Sequence, residues 1–227
     1  MIMEKLKENL AQFLFKLGVS ANLLTYLGLA LALLAGILIY NGEFFWAGGI
    51  LLLSGLLDLL DGAVARISKR QSPFGGILDS SMDRYGDGFV FAGIVFFYFE
   101  MADLLYALLA FSALSGSFLI SYVRARAECE IENCKVGFWE RGERLVYVSL
   151  GLLLNHLEIV LWVLAIGTQL TALSRLYYAH SKTQKEGREA SRSAFLQNLL
   201  FNLKGRAGPA YLIKILILFL IMALVRI

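Results

Sequence analysis

Proline is nearly missing from this chain of 227 residues, where only Pro73 and Pro209 occur. Proline removes a helical N–H and clashes with the turn before it, so its scarcity leaves long helices unbroken. Charge is scarce too, at 17% of residues, while 58% are hydrophobic; ordinary soluble domains carry roughly 25% charged residues. That balance excludes a conventional water-soluble domain. It points to a bilayer, because several apolar runs approach the roughly 20 residues that a spanning helix needs. Only two cysteines occur, Cys129 and Cys134, and they share one polar loop. A zinc site would need more ligands nearby and a disulfide would need an oxidising compartment, so both are expected as free thiols. A signal peptide is not expected, since Glu4, Lys5, Lys7 and Glu8 break any apolar stretch at the start. Over residues 1–18, Leu6, Leu10, Phe13 and Leu14 instead recur at helical spacing with lysines elsewhere, which suits a helix lying on a membrane surface.

Basic residues are missing from three connections, "YNGEFF", "FEMADL" and "NHLE". The opposite side collects Lys5, Lys7, Lys16, Lys69, Arg70, Arg124, Arg126, Lys135, Arg141, Arg144, Lys182, Lys185 and Arg188. Positive charge stays cytoplasmic, so the N-terminus and the loops after the second and fourth spans are expected to face the cytoplasm of a cell-membrane protein. Hydropathy predicts six spans near 21–40, 44–66, 77–99, 103–127, 143–156 and 157–179. Ser20 or Asn22 is the expected cap of the first. The fold class is therefore all-α and membrane-integral: a surface helix over 1–18, a six-helix catalytic domain over 19–183, and residues 184–227. The last part reads as a polar linker and a hydrophobic helix, "AYLIKILILFLIMALVRI", either a seventh span or an interfacial helix.

Against this apolar background the stretch "DLLDGAVARISKRQSPFGGILDSSMDRYGD", residues 58–87, holds five aspartates. Asp58 and Asp61 end the second span, and Asp79 and Asp83 begin the third. Residues three or four apart share a helix face, so each pair forms one carboxylate face, and the short loop between them brings the faces together. Four converging carboxylates repel unless a cation sits among them. Mg²⁺ or Mn²⁺ is the natural partner, because these hard ions take oxygen ligands and bridge phosphates. Solvated helix ends paired with Lys69, Arg70 and Arg84 would explain any one aspartate. They do not explain four, since intramembrane carboxylates are expensive and mark function. Gly62, Ala63 and Ala65 leave the surface beside Asp61 bare, Gly75 and Gly76 do the same at the loop's exit, and Arg66 offers a forked cation for phosphate. Close helix packing is an equal explanation for Ala63. Together these residues describe a diphosphate pocket and phosphoryl transfer. Asp87, one turn deeper, either tunes Asp83 or is structural, paired with Arg124 or Arg126, and the structural role is the one expected.

The pattern Asp58-x2-Asp61-Gly62-x2-Ala65-Arg66-x8-Gly75-x3-Asp79-x3-Asp83 resembles the signature of the CDP-alcohol phosphatidyltransferase family. The resemblance implies transfer of a phosphatidyl group from a CDP-linked alcohol, CDP-diacylglycerol or a CDP-linked ether lipid, to an acceptor alcohol, with release of CMP. It implies that Asp58, Asp61, Asp79 and Asp83 gather around one or two Mg²⁺ or Mn²⁺ ions, and that Asp83 is the general base. Asp58, Asp61, Gly62, Ala65, Arg66, Gly75 and Asp79 are then the residues of the CDP site. A homodimer is implied as well, and nucleic acid is not an expected partner.

The acceptor must be read elsewhere. "SYVRARAE" and "VGFWERGERL" bring Arg124, Arg126, Arg141 and Arg144 to one cytoplasmic level, which suits an acceptor carrying its own phosphate, although positive-inside bias produces arginines there too. The same stretches resemble the subgroup that uses inositol 1-phosphate. On that resemblance Arg124 and Arg144 are the first candidates for the acceptor phosphate, with Arg141 beside them and Arg175 of "TALSRL" added. Ala179, followed by His180, stands where that subgroup has a further basic residue. Glycerol 3-phosphate or serine would be alternative acceptors for the same chemistry. A cation transporter would explain buried aspartates but neither Arg66 beside them nor their position at the membrane's edge. His156 falls on the uncharged-loop side and is expected at the surface.

Overall fold

The computed structural model describes residues 2–68 and 72–186. They form seven helices: α1 (Ile2–Lys16), α2 (Ala21–Tyr40), α3 (Phe44–Ile67), α4 (Pro73–Glu100), α5 (Leu104–Ala127), α6 (Arg141–Leu153) and α7 (Leu157–Glu186). No strand occurs among the described residues. The chain divides into two compact units, residues 1–178 and 179–227; of the second, the described part is the end of α7. The hydrophobic helix expected near the C-terminus lies outside the described residues.

Helices α2 to α7 overlap the six apolar segments read from the sequence, with α4 starting earlier and α7 ending later than expected, and three of the six qualify as spans among the described residues. By length and composition, α2, α5 and α7 (over Leu157–Gln184) can cross a membrane, and the chain is an integral membrane protein. α3 and α4 are long, at 24 and 28 residues, but carry the aspartates at their adjoining ends. α6 has 13 residues, roughly 20 Å at 1.5 Å per residue.

Caps set several boundaries. Ser20 Oγ accepts the Leu23 N–H at 3.3 Å, so Ser20 rather than Asn22 opens α2. Ser72 Oγ accepts the Gly75 N–H at 2.9 Å, and Pro73 takes the first helical position, where its missing N–H is harmless. α4 therefore begins at Pro73 and not near 77. Gly75 and Gly76, expected at a loop exit, lie in its first turn. The "NHLE" turn is a true helix reversal: Asn155 adopts φ 55°, and the His156 N–H donates to Gly151 O at 2.8 Å. His156 is exposed.

α2 packs against both α3 and α4. Where α2 meets α4, Gly36 and Gly93 touch so closely that a methyl group on Gly93 would run into the Gly36 carbonyl oxygen. Such backbone contact replaces the hydrophobic driving force that lipid removes. Ala32, Ala35, Ile39, Ile94, Leu161 and Leu164 fill the main core. A second cluster seats α1 on α3, with Ala11 against Leu60, Ala63 and Val64, which makes Ala63 a packing residue. Phe13 of α1 stays 58% exposed and Leu10 38%, leaving an apolar face for the membrane surface. Between α5 and α6 the loop folds onto α7. Gly137 adopts φ 102°, open to glycine and rarely to other residues, and presses on Thr171, while Trp139 presses on Gly167.

Candidate active site

The loop between α3 and α4 joins two helix ends that carry the carboxylates. One oxygen each from Asp58, Asp61 and Asp79 lies within 4.8 Å of the other two. Asp61 is 5% exposed, and the Thr25 hydroxyl of α2 donates to its Oδ2 at 2.7 Å. Asp79 Oδ1 is buried with no hydrogen-bond donor among the described residues. A buried, unpaired anionic oxygen beside two more carboxylates calls for a cation. The all-oxygen donor set fits Mg²⁺ or Mn²⁺, so these three residues fit a divalent-metal site.

Asp83, on the same face of α4, lies outside that group of three. Its Oδ1 is 2.8 Å from Arg141 Nη1, which stands 2.7 Å from Asp58 Oδ1 as well. Arg84 approaches the other Asp83 oxygen at 3.6 Å. Asp87 pairs with Arg144 Nη2 at 2.7 Å and lies 3.8 Å from Arg141 Nε. Asp87 is ion-paired, but its partners come from α6, not from Arg124 or Arg126. The reason is direction: Arg126 turns outward to Glu130 at 2.9 Å, and Arg124 pairs with Glu128 at 3.0 Å. Lys69 and Arg70 lie outside the described residues.

Around the donor side, Gly62 meets nothing nearer than Arg66 Nη1, 3.8 Å from where a Cβ would stand, and Gly76 faces open space. Gly62 and Ala65 are half-buried and Arg66 is exposed. Arg66 lines a cavity of about 420 Å³ together with Lys7 and Gln12 of α1. Neither α1 residue nor Thr25 was singled out from the sequence. Thr25 stands 36 residues before Asp61, and no spacing rule links the two.

The arginines meet around the start of α6. Arg144 is 3% exposed, with Nη1 donating to Trp139 O at 2.8 Å. Arg175 is 2% exposed; its Nε donates to Val136 O at 2.7 Å and its Nη1 to Ile120 O at 3.0 Å. Glu140 lies between Arg124 and Arg175, at 3.9 and 3.7 Å. Arg124 and Arg144 are both within electrostatic reach of Arg175. Arg124 has the most accessible side chain of the four candidates, at 33%. In the loop beside them, burial pushes the Cys134 thiol up. Partial desolvation works against ionisation of Glu128, but hydrogen bonds from Arg124 and the Cys134 N–H outweigh it and hold that carboxyl below its ordinary value. Both thiols are free, Cys129 exposed and Cys134 buried.

Comparison with known proteins bears on this arrangement. The profile of the CDP-alcohol phosphatidyltransferase family matches residues 18–176. An archaetidylinositol phosphate synthase of Pyrococcus horikoshii is 35% identical over 178 residues, covering 78% of this chain and 92% of its own. The crystal structure of Mycobacterium tuberculosis phosphatidylinositol phosphate synthase with CDP-DAG bound superposes with a TM-score of 0.71 at 30% identity, covering 77% of this chain and 94% of that one. The same enzyme in complex with manganese and citrate also gives 0.71 at 30% identity, covering 76% and 88%. The carboxylate signature thus has its setting: this chain belongs to the CDP-alcohol phosphatidyltransferase family.

Proposed function

We propose that this enzyme moves a phosphatidyl, or corresponding ether-lipid, group from a CDP-linked lipid to the hydroxyl of inositol 1-phosphate and releases CMP. The observation that carries the reading is the joining of two groups at one level: the three-carboxylate cluster of Asp58, Asp61 and Asp79 and, directly across Arg141, the arginines at the start of α6. The donor is the class bound in the Mycobacterium tuberculosis enzyme, and the acceptor is inferred from the inositol phosphate lipids in the relatives' names.

Asp58, Asp61 and Asp79 would hold one or two divalent ions, Mg²⁺ or Mn²⁺. When bound, such ions offset the negative charge of a diphosphate and of the departing CMP. Asp83, whose oxygen faces this group, accepts the proton of the acceptor hydroxyl as that oxygen attacks the lipid-side phosphorus, and the bond from that phosphorus to CMP breaks. Arg66 pairs with the diphosphate, while Gly62, Ala65 and Gly75 let the nucleotide approach the backbone of α3 and α4. Thr25 fixes the Asp61 carboxylate, and fixed ligands hold reacting groups in line. Arg124 receives the acceptor phosphate, with Arg144, Arg141 and Arg175 supplying positive field behind it. The layout extends the reading: six spans, a cytoplasmic N-terminus, an active site at the cytoplasmic edge of the cell membrane, and a homodimer.

The test is CMP release by the purified protein with CDP-diacylglycerol and Mg²⁺, run in parallel with inositol 1-phosphate, free inositol, glycerol 3-phosphate and serine. Release with inositol 1-phosphate alone is the expected result. Release only with an unphosphorylated alcohol would remove the arginine-based acceptor reading and leave the aspartate chemistry standing.

A further inference from the structure

One side chain stands across both halves of the site. Arg141 Nη1 lies 2.7 Å from Asp58 Oδ1 on α3 and 2.8 Å from Asp83 Oδ1 on α4, and Nε lies 3.8 Å from Asp87. Its side chain is 20% exposed. Yet Nε and Nη1 are buried, and among the described residues neither meets an acceptor in good hydrogen-bond alignment, the close approach to Asp58 included. The guanidinium is thus held by charge at a compromise position among three carboxylates. It is not docked in the planar two-bond fork that makes an arginine–carboxylate pair strong. Arg144, one turn later on the same helix, is anchored by both Asp87 and the Trp139 carbonyl. Arg141 has no such carbonyl anchor among the described residues.

Asp58 is shared between Arg141 and the group it forms with Asp61 and Asp79. A divalent ion on that group would stand within a few ångströms of the guanidinium, and two cations at such range in a half-buried site repel strongly. We infer that Arg141 is an internal counter-ion that competes with the divalent metal for Asp58 and must leave Asp58 and Asp83 when the metal binds. Asp83 is then held as an ion pair until the metal site fills, and metal loading releases the base. The released guanidinium moves toward the arginine side of the site, so that it is available to acceptor phosphate only in the loaded enzyme. Arg141 is in this account a positioning residue. The inference rests on Asp58, Asp61 and Asp79 being the metal ligands.

The experiment is direct Mn²⁺ binding to the full-length protein in detergent micelles, without nucleotide or acceptor, read from the free Mn²⁺ signal in electron paramagnetic resonance. Wild type is compared with Arg141→Gln, Arg141→Lys, Arg84→Gln and Asp61→Asn. Arg84 is the control, because it also lies near Asp83, at 3.6 Å, and within electrostatic reach of Asp79, but among the described residues it makes no ion pair with any carboxylate of the three. Competition predicts Mn²⁺ affinity about tenfold tighter in Arg141→Gln, an intermediate gain in Arg141→Lys, and a change of less than about twofold in Arg84→Gln. Equal gains in Arg141→Gln and Arg84→Gln would overturn the inference in favour of a general field effect, and so would unchanged or weaker binding in Arg141→Gln. If Arg141→Gln does not fold, Arg141→Lys decides alone, and unaltered affinity there overturns the inference. Loss of binding in Asp61→Asn confirms the ligand set separately. Absence of Mn²⁺ binding in every protein would remove both the metal reading and the inference, whereas binding that is indifferent to Arg141 removes only the latter.

Discussion

The acidic and basic halves of the site are held in different ways. The aspartates of α3 and α4 crowd together: Asp79 keeps a buried oxygen without a donor among the described residues, and one oxygen each from Asp58, Asp61 and Asp79 lies within 4.8 Å of the others. In the basic group Arg175 and Arg144 are tied to their own chain, although Arg144 Nε, Arg141 Nε and Arg141 Nη1 are buried without a hydrogen-bond partner among the described residues. Arg175 is spent on the Val136 and Ile120 carbonyls and Arg144 on Asp87 and Trp139. A cluster left short of partners is arranged for a ligand. Side chains bound to carbonyls and to Asp87 hold the scaffold, and of the four arginines Arg124 has the most accessible side chain, at 33%.

The comparison breaks most sharply if the carboxylates are not a metal site. Asp61→Asn or Asp79→Asn is expected to lower turnover by roughly a thousandfold, the scale of several kcal/mol of charge stabilisation, with Mn²⁺ binding lost in the same proteins. Asp83→Asn should lower turnover by about 10²–10⁴-fold while equilibrium binding of the CDP-lipid remains. Retained activity in either set, measured as CMP release, would undo the acidic half.

Stability tests the basic half. Arg144→Met leaves Asp87 half-buried without its nearest partner, and breaking such a pair costs about 3–5 kcal/mol. A clear fall in Tm is expected, largely recovered by the double change Arg144→Met with Asp87→Leu. A normal Tm accompanied by a raised KM for the phosphorylated acceptor would instead make Arg144 a contact residue. Smaller is Gly93→Ala, whose methyl meets the Gly36 carbonyl. Prising α2 from α4 there should cost about 1–3 kcal/mol, again read as Tm. Smallest in consequence is alkylation: iodoacetamide should label exposed Cys129 and spare Cys134, whose buried thiol resists ionisation. Mass spectrometry of the folded and unfolded protein separates the two.

Much of the acidic half was legible because it is local. Asp58 and Asp61 lie three apart on one helix, Asp79 and Asp83 four apart on the next, and helical periodicity alone puts each pair on one face. The start of α4 was legible too, from Ser72 followed by Pro73, but the apolar run after Ile77 drew the boundary four residues late. Thr25 on Asp61 and Lys7 beside Arg66 could not be found that way, since each depends on how a separate helix docks.

Sequence alone determined the helical class, the carboxylate faces and the family, because these follow from composition and from spacing within one or two turns. Tertiary structure decided which cation answers which anion. Arg124, Arg126, Arg141, Arg144 and Arg175 look alike in the sequence. Only the packing of α6 and α7 against α3, α4 and α5 sends Arg126 outward, spends Arg175 on carbonyls, locks Arg144 to Asp87 and leaves Arg141 poised over Asp58 and Asp83. Partner choice among long flexible cations is fixed by distance and burial, and neither is written in the order of residues along the chain.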